Sequence, residues 1–273
     1  MSFQISFTIV ELNSVSESNF YTMFEIFTKD NAVETAKNPE KAVSFLRYKF
    51  SEIMYYSKFS RFGDCSSSLD NYGKAVKQIT EEFQDISGKT RGESYSPGIM
   101  AKTDAENLKG FVEYVDPSVV VETGVCNGIS TLSILEGMEE LESVLYSIDL
   151  PESPSSDEGD FWGGKGGSVI PNKKAPGWVV PESLRTKWNL ILGNSLYRLP
   201  EVMEESGEVD IFIHDSEHSY EMMMFEFCLA WKHLREGGYL ICDDHKWNSA
   251  FSDFADQKDI TKYKLGKLGL LEK

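Results

Sequence analysis

Two early stretches repeat apolar residues at helical spacing. Residues 42–59 (AVSFLRYKFSEIMYYSKF) bring Val43, Leu46, Phe50, Ile53 and Met54 together on one helical face, and residues 71–84 form a second such pattern. The glycine- and serine-rich stretch 87–98 then reads as a loop or linker. Beyond it the rhythm changes to short continuous apolar runs. A helix over 102–114 leads into a strand over 118–122, a glycine turn and a helix over 128–139. Further strands are expected over 144–149, 188–193, 209–215 and 237–244, with helices over 195–205, 218–235 and 246–256. Residues 151–183 carry no periodicity and read as loop, and the tail KYKLGKLGLL can close as a short hairpin.

Near-continuous apolar strands alternating with amphipathic helices predict a sheet covered on both faces. The expected class is α/β: a doubly wound, mostly parallel, Rossmann-like sheet with an N-terminal helical extension. Residues 1–100 are expected to form the helical cap or extension. Residues 101–273 form the sheet domain, with 151–183 as an insertion able to act as a lid. Its glycine-rich DFWGGKGG segment (160–167) would let Trp162 or Trp178 close over a ligand; a plain surface insertion is the alternative.

Charge narrows the partners. The chain of 273 residues has 27 Lys and Arg against 44 Asp and Glu, a net charge of −17. That balance argues against nucleic-acid backbones and anionic membranes as partners. Cys65, Cys126, Cys228 and Cys242 form no C-x-x-C pair and read as reduced small hydrophobes in a cytoplasmic protein. The N-terminus has no signal-peptide pattern, and no run approaches the ~18 apolar residues of a membrane span. Gly88-Lys89-Thr90 is not a phosphate loop, because Phe83 stands where that motif needs glycine.

In a doubly wound sheet, ligands bind beyond the carboxyl ends of the strands. The expected strands end in Glu122-Thr123-Gly124, Asp149, Gly193-Asn194-Ser195, His214-Asp215 and Asp243-Asp244-His245. All 4 histidines fall between 214 and 245. Polar groups are thus delivered to one edge. Glu122-x-Gly124-x-Cys126-x-Gly128 forms a glycine turn between strand and helix, and Asp149 ends the next strand, where a carboxylate suits ribose hydroxyls. A nicotinamide enzyme wants G-x-G-x-x-G, whose third glycine is missing here. An acid at the first strand end suits a cofactor with an amino-acid tail, whose ammonium it can attract.

At this point the sequence resembles the class I S-adenosylmethionine-dependent methyltransferases, whose first motif is E/D-x-G-x-G-x-G and whose sheet is of the seven-stranded type. Cys126 replaces the middle glycine. The resemblance runs over roughly residues 105–256, through GWVVPESLRTKWNLILGNSLYRLPEVM, DIFIHDSEHSYEMMMFEFCLAWKHLREGGYLICDD and WNSAFSDF. It implies that Glu122, Gly124, Cys126 and Gly128 hold the methionine part, Asp149 the ribose, and Asn194 and Ser195 the adenine. Asn194 stands where the family has an acid.

Asp215, Asp243 and Asp244 are expected to converge, because adjacent parallel strands lie about 4.8 Å apart. Three hard oxygen donors suit Mg²⁺ or another hard divalent cation. The spacing is similar to that of metal-dependent O-methyltransferases acting on catechols or sugar hydroxyls. A cation would lower the pKa of a small-molecule hydroxyl. By that resemblance His218, three residues after Asp215, is the general base, with Asp215 beside it and His245 in reserve as base or metal ligand.

Plainer roles stand beside these. Asp243 or Asp244 can cap the helix over 246–256, and His218 can be a first-turn helix residue. His214 reads as a satisfied core histidine, and MMMFEF (222–227) as the buried face of a helix. Other functions stay open: a metal-independent methyltransferase with His218 as base, an NAD-dependent oxidoreductase, and a non-catalytic cofactor-binding protein. An iron-dependent oxygenase using His214, His218 and Asp215 is a further one. The N-terminal helices are expected to form a cap or a homo-oligomer contact.

Overall fold

The computed structural model describes residues 69–87, 98–139, 142–150, 170–171 and 174–273. The helix expected over 42–59, Cys65, the oligomer contact through the N-terminal helices, and Trp162 lie outside these residues. In chain order the elements are α1 (Tyr72–Ser87), α2 (Lys102–Val115), β1 (Val119–Thr123), α3 (Ile129–Gly137) and β2 (Val144–Asp149). A 3-10 helix (Glu182–Lys187) precedes β3 (Trp188–Leu192), α4 (Ser195–Ser206), β4 (Val209–His214) and α5 (Tyr220–His233). The chain closes with β5 (Leu234–Cys242), α6 (Ala250–Lys258), β6 (Tyr263–Leu265) and β7 (Leu268–Glu272).

The seven strands form one sheet in the order β3-β2-β1-β4-β5-β7-β6. Strands β1 to β5 pair in parallel, β7 runs antiparallel to β5, and β6 and β7 form the hairpin expected for the tail. The order reverses between β1 and β4. At such a reversal in a doubly wound sheet the crossovers leave to opposite sides, and ligands bind beyond the strand ends.

Side-chain alternation along the strands divides the core into two layers. Val121, Phe212, Leu240 and Cys242 face one way, into a cluster with Leu199 of α4, Phe227 of α5 and Phe254 of α6. On the other face, Tyr239 meets Phe111 of α2 edge to face at 5.0 Å. A second cluster joins Ala75 and Ile79 of α1, Ala105 of α2, and Ile129 and Leu132 of α3. Helix α1 lies in the same compact unit as the sheet, Phe62–Lys273. Phe227 is fully buried and packs against Phe251 and Phe254. Its loss to alanine is expected to cost about 3–5 kcal/mol.

Several boundaries differ from expectation. Strand β5 spans Leu234–Cys242 rather than 237–244. Its glycine pair is held in the sheet by the last residue: Gly237 N–H donates to Lys273 O, and Lys273 N–H to Gly238 O, each at 2.9 Å. Asp243 and Asp244 therefore lie in the turn beyond the strand. Helix α6 begins at Ala250 with Ser249 as N-cap, and Asn248 Oδ1 accepts from Ala250 N–H at 2.8 Å. Neither aspartate caps that helix, which corrects one plain reading. Helix α5 begins at Tyr220 with Ser219 as its cap, so His218 precedes the helix instead of lying in its first turn. Of the described cysteines, Cys242 is buried, Cys126 half-buried and Cys228 exposed, so Cys228 is not the packed hydrophobe expected.

Candidate active site

The glycine turn after β1 is shaped by close backbone approach. Gly124 has φ 86°, and a Cβ there would lie 1.9 Å from the Asp215 carbonyl oxygen. Gly128, with φ 101°, starts α3, and a Cβ there would meet the Gly177 Cα at 2.7 Å. Cys126 itself takes a left-handed conformation, φ 49°, the one place in the motif where a side chain stands in for glycine. Asp149, at the end of β2, holds this turn. Its Oδ2 accepts from Val125 N–H at 3.0 Å and Cys126 N–H at 2.7 Å, and its Oδ1 from Leu150 N–H at 2.6 Å. Burial raises the Asp149 pKa, and these three backbone donors work against the rise.

Glu122, expected to hold the methionine part of the cofactor, is turned into the protein interior. Fully buried, it accepts from Ser130 Oγ at 2.5 Å, Thr131 Oγ1 at 2.7 Å and Ser147 Oγ at 2.8 Å. Burial pushes its pKa up to about 7, the three hydroxyls oppose this, and Asp149 adds to it. In this arrangement it ties β1 to β2 and to the start of α3. Asn194 is likewise committed: its Oδ1 caps α4 by accepting from Leu196 N–H at 2.8 Å. The Ser195 hydroxyl turns inward to Glu226.

The later part of the 151–183 insertion lies against the glycine turn. Trp178 Nε1 donates to Asn127 Oδ1 at 2.6 Å, and Gly177 N–H donates to Cys126 O at 2.8 Å. Arg185 holds the segment from behind, donating to Val180 O at 3.1 Å and Gly177 O at 2.8 Å. Trp178 is thus bonded to the turn itself.

Strands β4 and β5 end in register, His214 beside Cys242, and Asp243 N–H donates to His214 O at 2.9 Å. This brings the Asp215 and Asp243 carboxyls within hydrogen-bonding reach of each other. Burial raises both pKa values. Asp215 is pushed well up, with Asp243 the nearest charge adding to it. Asp244 does not join them: it is exposed, in a left-handed turn with φ 46°. The expected three-carboxylate group is therefore not assembled, and no group of three or more His, Cys, Asp or Glu among the described residues is placed to hold a metal. The same finding applies to the His214, His218 and Asp215 set of an iron oxygenase. Two converging carboxyls still fit a hard divalent ion of the kind that keeps several waters and binds through one or two carboxylates.

His218 stands beside this pair, its Nε2 3.9 Å from Asp215 Oδ1. That nitrogen is buried and has no hydrogen-bond partner among the described residues. Burial lowers the His218 pKa, and the His214 ring lowers it further. Asn248 Nδ2 donates to His218 O at 2.9 Å and so ties the turn after β5 to the one after β4. Trp247, 53% exposed, lies over His218 at 5.9 Å. His245 turns away instead. Its ring packs on Phe251 at 5.5 Å and faces the Lys267 backbone of the hairpin, so it reaches neither the acid pair nor a shared metal position. Nothing about residue type distinguished His245 from His218; the turn after Cys242 decided it.

Sequence reasoning missed Glu226. It sits in the run read as an apolar helix face, yet it is fully buried with its carboxylate 2.7 Å from His214 Nδ1. A lone acid within MMMFEF was the signal available. His214 was read as a satisfied core histidine; its Nδ1 is satisfied, but its buried Nε2 has no partner among the described residues.

Residues 121–245 match the model of a family described as a methyltransferase domain. No curated protein matches the chain by sequence. Among solved structures, the fold is similar to an O-methyltransferase from Bacillus cereus in complex with SAH, at TM-score 0.51 and 13% identity, over 81% of this chain and 99% of that one. It is also similar to the O-methyltransferase TomG from Streptomyces achromogenes, involved in tomaymycin synthesis and solved with SAM, at TM-score 0.50 and 14% identity, over 80% of this chain and 96% of that one. The family match begins in β1 and ends just past β5, so it covers the parallel strands whose carboxyl ends build the edge described above. Residues 121–245 are thus similar to a methyltransferase domain, carried on a Rossmann-like α/β fold shared with O-methyltransferases solved with SAM or SAH.

Proposed function

We propose that the protein moves a methyl group from S-adenosylmethionine to a hydroxyl of a small molecule, with His218 as general base. The observation that carries this reading is the buried, unpartnered His218 Nε2 standing 3.9 Å from Asp215. A base needs a free lone pair at working pH, and the lowered His218 pKa keeps the ring neutral there. Gly124, Gly128 and Asp149 line the cofactor edge, Asn194 lies at the adenine end, and Glu122 braces the turn from below.

S-adenosylmethionine supplies an electrophilic methyl on a sulfonium. The acceptor hydroxyl donates its proton to His218 Nε2 as its oxygen forms the new C–O bond. The S–CH₃ bond breaks with its electron pair left on sulfur, which becomes a neutral thioether. The positive charge then resides on the His218 imidazolium, and Asp215 lies close enough to stabilise it. Asp215 and Asp243 would also hold a divalent cation, whose chemistry there would be to lower the pKa of the acceptor hydroxyl. The exposed face of Trp247 offers the acceptor a flat wall beside the base.

The test is methyl transfer from labelled cofactor to a panel of hydroxyl and amine acceptors, for wild type and His218→Gln. The expected result is transfer to hydroxyls, falling by about 10²–10⁴ in the variant while S-adenosylhomocysteine affinity is unchanged. Full activity in the variant removes His218 as the base. Transfer to amines alone overturns the hydroxyl acceptor.

A further inference from the structure

Glu226 is a carboxylate in the middle of the core. Its residue is 0% exposed, as is His214 beside it. Burying a charge costs several kcal/mol unless partners match it, and the matching here is thorough. His214 Nδ1 lies 2.7 Å from Oε2, Thr123 Oγ1 donates to Oε2 at 2.6 Å, and Ser216 Oγ donates to Oε1 at 2.7 Å. The Ser195 hydroxyl is a further donor. These partners come from the end of β1, the start of α4, the end of β4 and the turn after β4. They are the elements that frame the cofactor and acceptor edge.

The arrangement exceeds what packing requires. An apolar residue in the same space would hold α5 to the sheet at no desolvation cost. Burial alone would raise the Glu226 pKa, but the His214 ring and the Ser195 and Thr123 hydroxyls together outweigh it and hold the carboxyl below its usual range. An ionised carboxylate only accepts, so the His214 Nδ1 carries the proton and the ring orientation is fixed. That ring stands at 84° to the His218 ring with centroids 5.4 Å apart. Both rings keep a buried Nε2 without a partner among the described residues.

We propose that Glu226 is a positioning residue for the methyl-transfer reaction: through His214 and Ser216 it fixes segment 214–218, so that the His218 ring is held beside Asp215. The proposal rests on the reading of His218 as base. It assigns Glu226 no contact with substrate or cofactor. A carboxylate serves better than an apolar residue because it orients two side chains of that segment at once, through directional bonds.

Glu226→Gln keeps the size of the side chain and removes its charge. The His218 and His233 ring signals are read by NMR in the free protein, with His233, at the far end of α5, as internal control. Acceptor kinetics and S-adenosylhomocysteine affinity are measured on the same variant. The expected result is a displaced His218 signal, an unmoved His233 signal, and kcat lowered by about 10²-fold, as for a misplaced catalytic group, with acceptor KM and cofactor affinity unchanged. A folded variant with unaltered kcat and an unaltered His218 signal overturns the proposal. So does a loss of kcat that merely follows a loss of cofactor affinity. If Glu226→Gln does not fold, Ser216→Ala removes one arm of the same arrangement. A lower kcat at constant KM then supports the assignment, and wild-type kcat overturns it. If the wild type methylates no hydroxyl, the functional reading fails, while the His218 signal still decides the positioning.

Discussion

Asp215 and Asp243 bring their carboxyls together just past the ends of two neighbouring parallel strands, close enough to share a hydrogen bond when one is protonated. Two ionised carboxylates cannot form such a bond, since neither has a proton to give. Burial raises both pKa values, which favours a proton shared between the two carboxyls where no cation lies there. A chain that ends two core strands on acids has two ways of keeping them together: a shared proton or a cation.

The cation alternative predicts a specific loss. Mn²⁺ binding, followed by paramagnetic resonance on the folded protein, is expected for wild type and absent in Asp243→Ala. S-adenosylhomocysteine affinity stays unchanged, because Asp243 lies off the glycine turn. Equal Mn²⁺ affinity in the two proteins would place any metal elsewhere.

Glu122 predicts a stability that depends on pH. Its folded pKa is raised from 4.5 to about 7, so the native state binds the extra proton between those values. Stability therefore falls as pH rises through that window and levels off above it, a change of about 3 kcal/mol for a fully buried group. Histidines with lowered pKa values, His218 and His245, act oppositely below about 6.5. The comparison is thus with Glu122→Gln, whose urea-unfolding free energy should decline less between pH 5 and pH 8 than that of wild type. Parallel curves for the two proteins would refute the assignment.

Asp149→Ala should weaken cofactor binding. Its carboxylate organises Val125 and Cys126 N–H, and each hydrogen bond to a charged group contributes about 1.5–3 kcal/mol. Calorimetry with S-adenosylhomocysteine is expected to show a loss of at least about tenfold in a variant that remains folded. Wild-type affinity would mean that the turn holds its shape without Asp149.

Gly124→Ala should fail to reach the native structure. A left-handed conformation costs an L-residue roughly 1–2 kcal/mol, and the added Cβ would also strike the Asp215 carbonyl at 1.9 Å. Backbone on both sides leaves no rotamer to relieve that contact. The expected reading is a large drop in melting temperature or loss of soluble protein. A stable variant with normal cofactor affinity would show that β1 and β4 can separate at the edge.

Much of the fold was legible along the chain because burial leaves a period. Runs such as Val119–Thr123 and Val209–His214 are apolar on both faces, as strands covered by helices must be, and Tyr263–Glu272 carries its hairpin turn in Gly266. The glycine turn after β1 was legible for a similar reason: glycine at 124 and 128 marks close backbone approach wherever it is folded. Helix starts were less so. Asp243 or Asp244 could have capped the last helix, yet α6 starts later, with Asn248 accepting from Ala250 N–H, and Asn248 is itself tied to His218 O.

By itself, then, the sequence determined which residues arrive at the carboxyl edge of the sheet, since the positions and ends of the strands follow from the apolar pattern. Which way each side chain faces there was decided by the tertiary structure alone. Glu122 turns into three hydroxyls, Asp244 into solvent, His245 to the hairpin and Glu226 to His214. Charge and residue type are the same in every such orientation. Partners contributed by other strands and helices decide it, because a buried polar group is stable only where donors and acceptors from distant parts of the chain meet it.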